Sequence, residues 1–407
     1  MDKILQLPLY GPIDHRDERL AWQLFQTQAF ARLRDISLSS SPSRFIPSGQ
    51  AASRFAHSAA VGMLGRRFAD QYRSLLGHHR DVLEAACLCH DLGSPPFSHI
   101  SEVFLYDATG RTHEQRTRDI LTDTSQDVAQ VLADHDVNAE DVAACIVGDH
   151  PLLGQLVAGS LDLDNVDNSL HLLLSLGHAP TPLPYHPIAL IDEALTMTAD
   201  GPALRTSGLR QVLGWAEARR MLYGVLYGEA SQSSATMLYR ALEMARAQAP
   251  LPDGFFDWGE SRALTWLEDQ AGPDAAYLVG QLSAWRHFPM LHVRVLDQPD
   301  GRITALYDRW QLRREITNAI AAQLDVPERE LCLYVGSDRG AKAIRLPWQG
   351  DGANAAAELF SGTTAGQRLA VYIHKRHHQR LAPIDVTAAV DAALTGVDEV
   401  QSAHAFF

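Results

Sequence analysis

The stretch Cys87-Leu88-Cys89-His90-Asp91-Leu92-Gly93 constrains this chain more than any other. It closes an apolar run (Val82, Leu83, Ala85, Ala86, Leu88) at the spacing of a buried helix, and Gly93 suits the C-terminal cap of that helix. An imidazole next to a carboxylate is costly at the end of a core helix unless each group is paired or binds a metal. His90 and Asp91 are therefore expected where a packed helix opens into a loop, with Pro96-Phe97-Ser98-His99 just behind. The question is whether matching ligands lie elsewhere.

Helical spacing recurs through most of the chain. Helices are expected over 16–33, 53–72, 113–121, 127–132, 139–147, 152–176 and, as a long pair, 209–248. A short hairpin is expected within 189–205, turning at Asp200-Gly201. Near residue 285 the texture changes. Alternation over 291–295, 303–307, 331–335 and 369–373 predicts strands, with helices at 309–323 and 386–394 among them and a small-residue loop at 350–357. The expected fold class is mostly α: a helical domain over residues 1–284 and a smaller α+β C-terminal lobe over 285–407.

With 407 residues the chain can hold one large domain and an appendage, or two or three smaller domains. A net charge of −14 argues against broad binding to nucleic acid or an acidic membrane. The four cysteines, Cys87, Cys89, Cys145 and Cys332, form no C-x-x-C pair, so reduced thiols of a cytoplasmic protein are expected. No apolar run reaches the ~18 residues that span a membrane, and residues 1–12 lack the shape of a signal peptide.

Candidate partners for His90 and Asp91 lie on both sides. His57 sits upstream on another helix, and Leu161 to Asp167 brings Asp162, Asp164 and Asp167 downstream, with Asp164 and Asp167 on one helical face. Two imidazoles and two carboxylates make a mixed N/O donor set, suited to Mn²⁺, Fe²⁺, Zn²⁺ or Ni²⁺, with Mg²⁺ a further candidate.

The order His57, then His90-Asp91, then a later Asp resembles the HD-superfamily metal phosphohydrolases. Arg54 to Ser58, Cys89 to Gly93, Pro96 to His99, Thr112 to Gln115, Leu161 to Asp167 and Arg219 to Tyr223 resemble, in order, the deoxynucleoside triphosphate triphosphohydrolases, the sterile-alpha-motif-linked branch most of all. The resemblance implies one divalent metal on His57, His90, Asp91 and Asp164. It implies triphosphate contacts from Arg54, His99 and Arg219, and a His113–Glu102 pair, with His99 beside it, for proton work. It also implies a nucleotide substrate and a homo-oligomer. Asp162 and Asp167 are expected to cap or pair. Tyr223 and Tyr227 are expected in the core, and the run His374 to His378 on the solvated surface.

The chain also departs from that family. Ser94 and Pro95 stand where it has His and Gly. Asn165, Asn168 and Leu172 replace its Lys, Tyr and Asp, and its sugar-gripping Gln-Leu-Gly is replaced within Ser37 to Ser41. The expected activity is hydrolysis of a nucleoside triphosphate to nucleoside and tripolyphosphate. The alternatives are an HD phosphatase or phosphodiesterase on a different nucleotide, and a non-catalytic nucleotide-sensing module.

Overall fold

The computed structural model describes residues 4–7, 9–14, 19–39, 42–45, 52–337, 339–362 and 366–400. Among them are twenty α-helices and three small sheets, a mostly α fold. Six helices carry the site: α1 (Arg54–Gln71), α2 (His79–Cys89), α3 (His99–Thr109), α4 (His113–Thr122), α5 (Leu163–Ser175) and α6 (Leu209–Leu226).

Helix α1 begins at Ser53, whose hydroxyl accepts from the Ala56 amide, and it packs closely along α2. Gly62 permits that approach, since a Cβ there would stand 2.2 Å from Leu88 Cδ2. The contact sets His57 of α1 against His90 at the end of α2, with ring centroids 5.2 Å apart. The chain then turns tightly. Phe97 and Ser98, both fully buried, take left-handed φ values of 67° and 52°, an uncommon conformation for residues with a side chain. This turn sends α3 back so that its first two turns reach the site.

Most of the helical expectations hold, and the misses have local causes. Residues 16–33 were expected as one helix; the described part is two, Arg19–Leu24 and Gln28–Leu33, broken where the Thr27 hydroxyl donates to Leu24 O at 2.6 Å. Residues 152–176 also divide, into Gly154–Val157 and α5. There Asp162 accepts from the Asn165 amide as N-cap, a geometry that starts a helix and so interrupts a longer one. Gly93 is not a helix cap. Helix α2 ends at Cys89, and a Cβ on Gly93 would meet His113 O at 2.1 Å, so glycine is there to let α4 approach.

The hairpin forms between Leu195–Thr198 and Gly201–Arg205, and Trp348–Gln349 adds to it in parallel. In the C-terminal part, Gln367–Ile373 is the central strand of an antiparallel sheet flanked by Met290–Leu296 and Leu331–Ser337. The strand expected at 303–307 is instead the helical turn Gly301–Thr304, capped by Asp300. Ile303, Leu306 and Tyr307 are buried at i, i+3, i+4 spacing. The loop expected at 350–357 contains the helix Ala353–Leu359, as its alanines favour.

Candidate metal centre and its cavity

His57, His90 and Asp164 form a group that could hold a metal ion, their donor atoms all within 4.8 Å of one another. Each imidazole is oriented from behind. The Nδ1 of His90 faces Cys87 O at 2.8 Å, and the Nδ1 of His57 faces Asp167 Oδ2 at 2.6 Å. With each Nδ1 committed, Nε2 is the ring atom that a metal would take, displacing any proton held there. The Nε2 of His90 is buried with no hydrogen-bond partner. The Nε2 of His57 lies 2.9 Å from Asp164 Oδ1 without hydrogen-bond geometry. Asp91 presents an unpartnered buried Oδ2, 3.4 Å from His90 Nε2. Two buried imidazole nitrogens and a buried carboxylate oxygen without partners fit a cation-binding set.

Charge at the centre is finely opposed. Burial works against a charge on His57, but Asp164 and Asp167 outweigh it and lift the imidazole to about 10. Burial would raise Asp91, but Arg54 and His90 hold it well below the usual carboxylate range. Burial pushes the Cys87 and Cys89 thiols up, so neither offers a thiolate to a metal.

Asp167 is fully buried and accepts from three side chains: His57, His171 Nδ1 at 3.0 Å and Tyr10 Oη at 2.5 Å. It pairs, and Asp162 caps, as expected. Tyr10 and His171 were not foreseen. The i, i+4 spacing of Asp167 and His171 was visible; the Tyr10 contact spans 157 residues and was not.

Beside the ion-pair cluster sits a carboxylate shared by two imidazoles. Glu102 Oε1 lies 3.0 Å from His99 Nδ1 and 2.8 Å from His113 Nδ1. Burial opposes the charge on both sides of this pair. Even so, His99 and His113 hold Glu102 well below its usual range, and Glu102 with Glu114 lifts His113 to about 9. The Thr112-His113-Glu114-Gln115 motif also has a plain local role, because Thr112 and Gln115 form a capping box for α4.

Arg54 is buried, ion-paired with Asp91, and donates from Nε to Ser98 Oγ at 2.9 Å. Arg219, rather than the exposed Arg220, is buried and reaches the cavity wall. These residues surround a cavity of about 550 Å³. Its wall holds His57, His90, Asp91, His99, His113, Asp164, Arg54 and Arg219, and Glu102 stands behind the two imidazoles. Tyr223 and Tyr227, expected in the core, are both half-buried and line the cavity, and Tyr227 also packs against a core cluster. Arg339 and Lys342 line it from the C-terminal part, which sequence reasoning missed. Of the Ser37–Ser41 segment, Leu38 and Ser39 line the cavity, while residues 40 and 41 lie outside the described residues. The His374–His378 run is not simply solvated, since Arg376 and His377 both bond the buried Glu330.

The helical core thus gathers His57, His90-Asp91 and Asp164 from separate helices at one cavity. Residues 54–154 match the family model described as HD domain. It is 28% identical to an uncharacterised Bacillus subtilis protein, YwfO, over 70% of this chain and 66% of that one. Over 60 residues it is 45% identical to a deoxyguanosinetriphosphate triphosphohydrolase-like protein of Bifidobacterium longum, 15% of this chain and 12% of that one. Over 104 residues it is 35% identical to the deoxynucleoside triphosphate triphosphohydrolase SAMHD1 of Bos taurus, 24% of this chain and 17% of that one. The matched part thus spans less than two thirds of each relative. The fold is shared with a crystal structure of a hypothetical protein from Aquifex aeolicus, with TM-score 0.72, 19% identity, and 95% of this chain and 100% of that one covered. No helix among the described residues is long and apolar enough to cross a membrane.

Proposed function

We propose that this chain is a metal-dependent phosphohydrolase of nucleotides, and that it releases nucleoside and tripolyphosphate from a nucleoside triphosphate. The observation that carries the reading is the pair of buried imidazoles with committed Nδ1 atoms and available Nε2 atoms, beside Asp164 and the free oxygen of Asp91, on the wall of a cavity that also presents Arg54 and Arg219. His57, His90, Asp91 and Asp164 would hold the ion, which supplies Lewis-acid charge for attack of water on phosphorus.

The remaining work falls to the chain's own side chains. His113 is an imidazolium at neutral pH, since its pKa stands near 9, and so carries a proton for the departing oxygen. As the water oxygen bonds to phosphorus and the P–O bond to the nucleoside breaks, that proton passes to the leaving oxygen; the water's proton passes to solvent, from which His113 is reprotonated. Glu102 keeps the charged imidazole in place, with His99 on the same carboxylate oxygen. Arg219 binds phosphate oxygens from the cavity wall, and Arg54 fixes Asp91.

A second reading, a different nucleotide, draws on Asn168 and Leu172. Both line the cavity; Leu172 has no polar side-chain atom, and Asn168 keeps a buried Oδ1 without a partner. An amide oxygen can accept from a sugar hydroxyl of either a ribo- or a deoxyribonucleotide. The test is a screen of the metal-loaded chain against matched ribo and deoxy nucleotides of each phosphorylation state, with products identified by mass. The expected result is tripolyphosphate from triphosphates, with a deoxy preference below roughly a hundredfold. Orthophosphate as the product, or turnover of monophosphates alone, replaces the first reading by the second. His90→Ala and Asp91→Ala should each lose bound metal in elemental analysis; retained metal refutes the ligand set.

A further inference from the structure

The stretch that follows the strand Leu331–Ser337 leaves the C-terminal sheet and runs across the HD domain. Ile344 and Leu346 are buried in the same apolar cluster as α1 and α2, not in the cluster of the C-terminal sheet and helices. Polar contacts fix the crossing at three further points. The Tyr227 hydroxyl donates to Ser337 O at 2.7 Å and accepts from the Arg339 amide at 3.1 Å. Lys342 Nζ donates to Gly159 O at 3.1 Å, and the Arg345 amide donates to Ser160 Oγ at 2.8 Å. The crossing is therefore a seated part of the cavity wall, and Arg339 and Lys342 both line the cavity.

Lys342 meets the metal helix at its start. Lys342 Nζ stands 3.9 Å from Asp162 Oδ2. The other oxygen of Asp162 accepts from Asn165 Nδ2 at 2.7 Å, and Asn165 Oδ1 accepts from Arg219 Nη1 at 3.2 Å. A continuous polar chain thus joins Lys342 to Arg219 across the first turn of α5, the turn that bears Asp164. Arg219 retains a buried Nε with no partner. Of the nearby carboxylates, Asp91 is met by Arg54, Asp164 by His57 and Glu114 by His113, while Asp162 is met by Lys342 and Asn165. Arg219 and Lys342 at the positive end of a helix, with Arg339 on the wall of the same cavity, are more cations than one phosphate needs and suit a polyanion.

We propose that residues 339–342 are a phosphate-binding strap, in which Arg339 and Lys342 join Arg219 to hold the outer phosphates of a nucleoside triphosphate. The assignment rests on the nucleotide-hydrolase reading and adds to it the group that selects triphosphates over monophosphates.

The test uses the full chain and inorganic tripolyphosphate, followed by isothermal titration, so that binding is read without turnover. Arg339→Ala with Lys342→Ala should weaken tripolyphosphate binding by roughly 10-fold or more, the scale of a lost charge-assisted contact. The ratio of kcat/KM for triphosphate over monophosphate should fall with it. Lys342→Arg should bind close to the parent, and Arg345→Ala, at an exposed position on the same stretch, should bind as the parent does. Metal content and the thermal midpoint verify the fold, and if the double variant melts early, Lys342→Gln at its partly exposed position gives the same readout. A folded, metal-loaded variant that binds tripolyphosphate within about twofold of the parent overturns the strap. So does an Arg345→Ala variant that loses as much affinity as the double variant. A parent that binds tripolyphosphate but turns over no nucleotide would defeat the hydrolase reading while leaving the strap measurable.

Discussion

Asp167→Asn tests the metal centre while leaving every assigned ligand in place. The native carboxylate is fully buried; Oδ2 accepts from His57 and His171, and Oδ1 from Tyr10. An amide can keep this geometry in one orientation only. Its oxygen must occupy the Oδ2 position to serve both imidazoles, and its NH₂ must then donate to the Tyr10 hydroxyl, which can accept. The fold should survive, but the bond that holds His57 becomes neutral. A charge-assisted hydrogen bond is worth about 1.5–3 kcal/mol and a neutral one about 1 kcal/mol, so His57 loses roughly 1 kcal/mol of support. Through the ligand alone, that predicts a metal affinity lower by roughly 5- to 10-fold, near the lower edge of the usual ~10- to 100-fold cost of such changes. Competition with a chelator, read by elemental analysis, measures it. An affinity within about twofold of the parent would show that Asp167 does not tune His57. Complete loss of metal from a folded variant would mean that Asp167 is itself a ligand, within the alternative group His57, Asp167 and His171.

Two more perturbations reach the catalytic half of the site. His113→Ala should lower kcat by roughly 100-fold or more while metal content stays constant, as expected for a lost general acid; loss of metal would instead make His113 a ligand. The pKa of His113 is raised from the usual 6.5 to about 9, so in the folded protein the imidazolium is present at neutral pH and is lost as pH rises through about 9. Activity should therefore decline above about pH 9, with Glu102, Glu114, His99 and Asp91 the charged groups that face His113, and a profile without that limb would count against the assignment. Gly93→Ala should destabilise the fold by about 1–3 kcal/mol, because its Cβ would press on the backbone of α4 at His113 and Thr117. Unchanged unfolding in denaturant would show that α4 can yield there at no cost.

How far the sequence could be read depended on the range of the interaction. Helices α1, α2, α4 and α6 were legible because their apolar residues recur at helical spacing and their ends carry local signals, such as Ser53 and the Thr112–Gln115 box. Where periodicity was short, local polar chemistry prevailed. Asp162 starts α5 by capping it, Thr27 turns the chain by bonding back to Leu24, and Asp300 caps a helical turn in what alternation marks as a strand. Gly93 was visible as special but for the wrong reason, since its meaning lies in the approach of a helix more than twenty residues away in sequence.

The same division separates the parts of the site. His57, His90, Asp91, His99, Glu102 and His113 fall in or beside recognisable motifs within residues 54–154, and the packing of α1 on α2 and the turn at Phe97-Ser98 bring them together. The groups that orient them are partly backbone, as with Cys87 O, and partly remote, as with Tyr10. Neither kind leaves a motif. Arg339 and Lys342 are further still from any signal. Their position depends on Ile344 and Leu346 being buried among helices α1 and α2 and on the Tyr227 hydroxyl gripping Ser337 and Arg339, contacts between segments more than a hundred residues apart. Metal ligands can be conveyed by short spacing because one ion demands a fixed set of donors. A polyphosphate tolerates cations from any direction, so the chain can draw them from a distant segment, and they become legible only in the folded cavity.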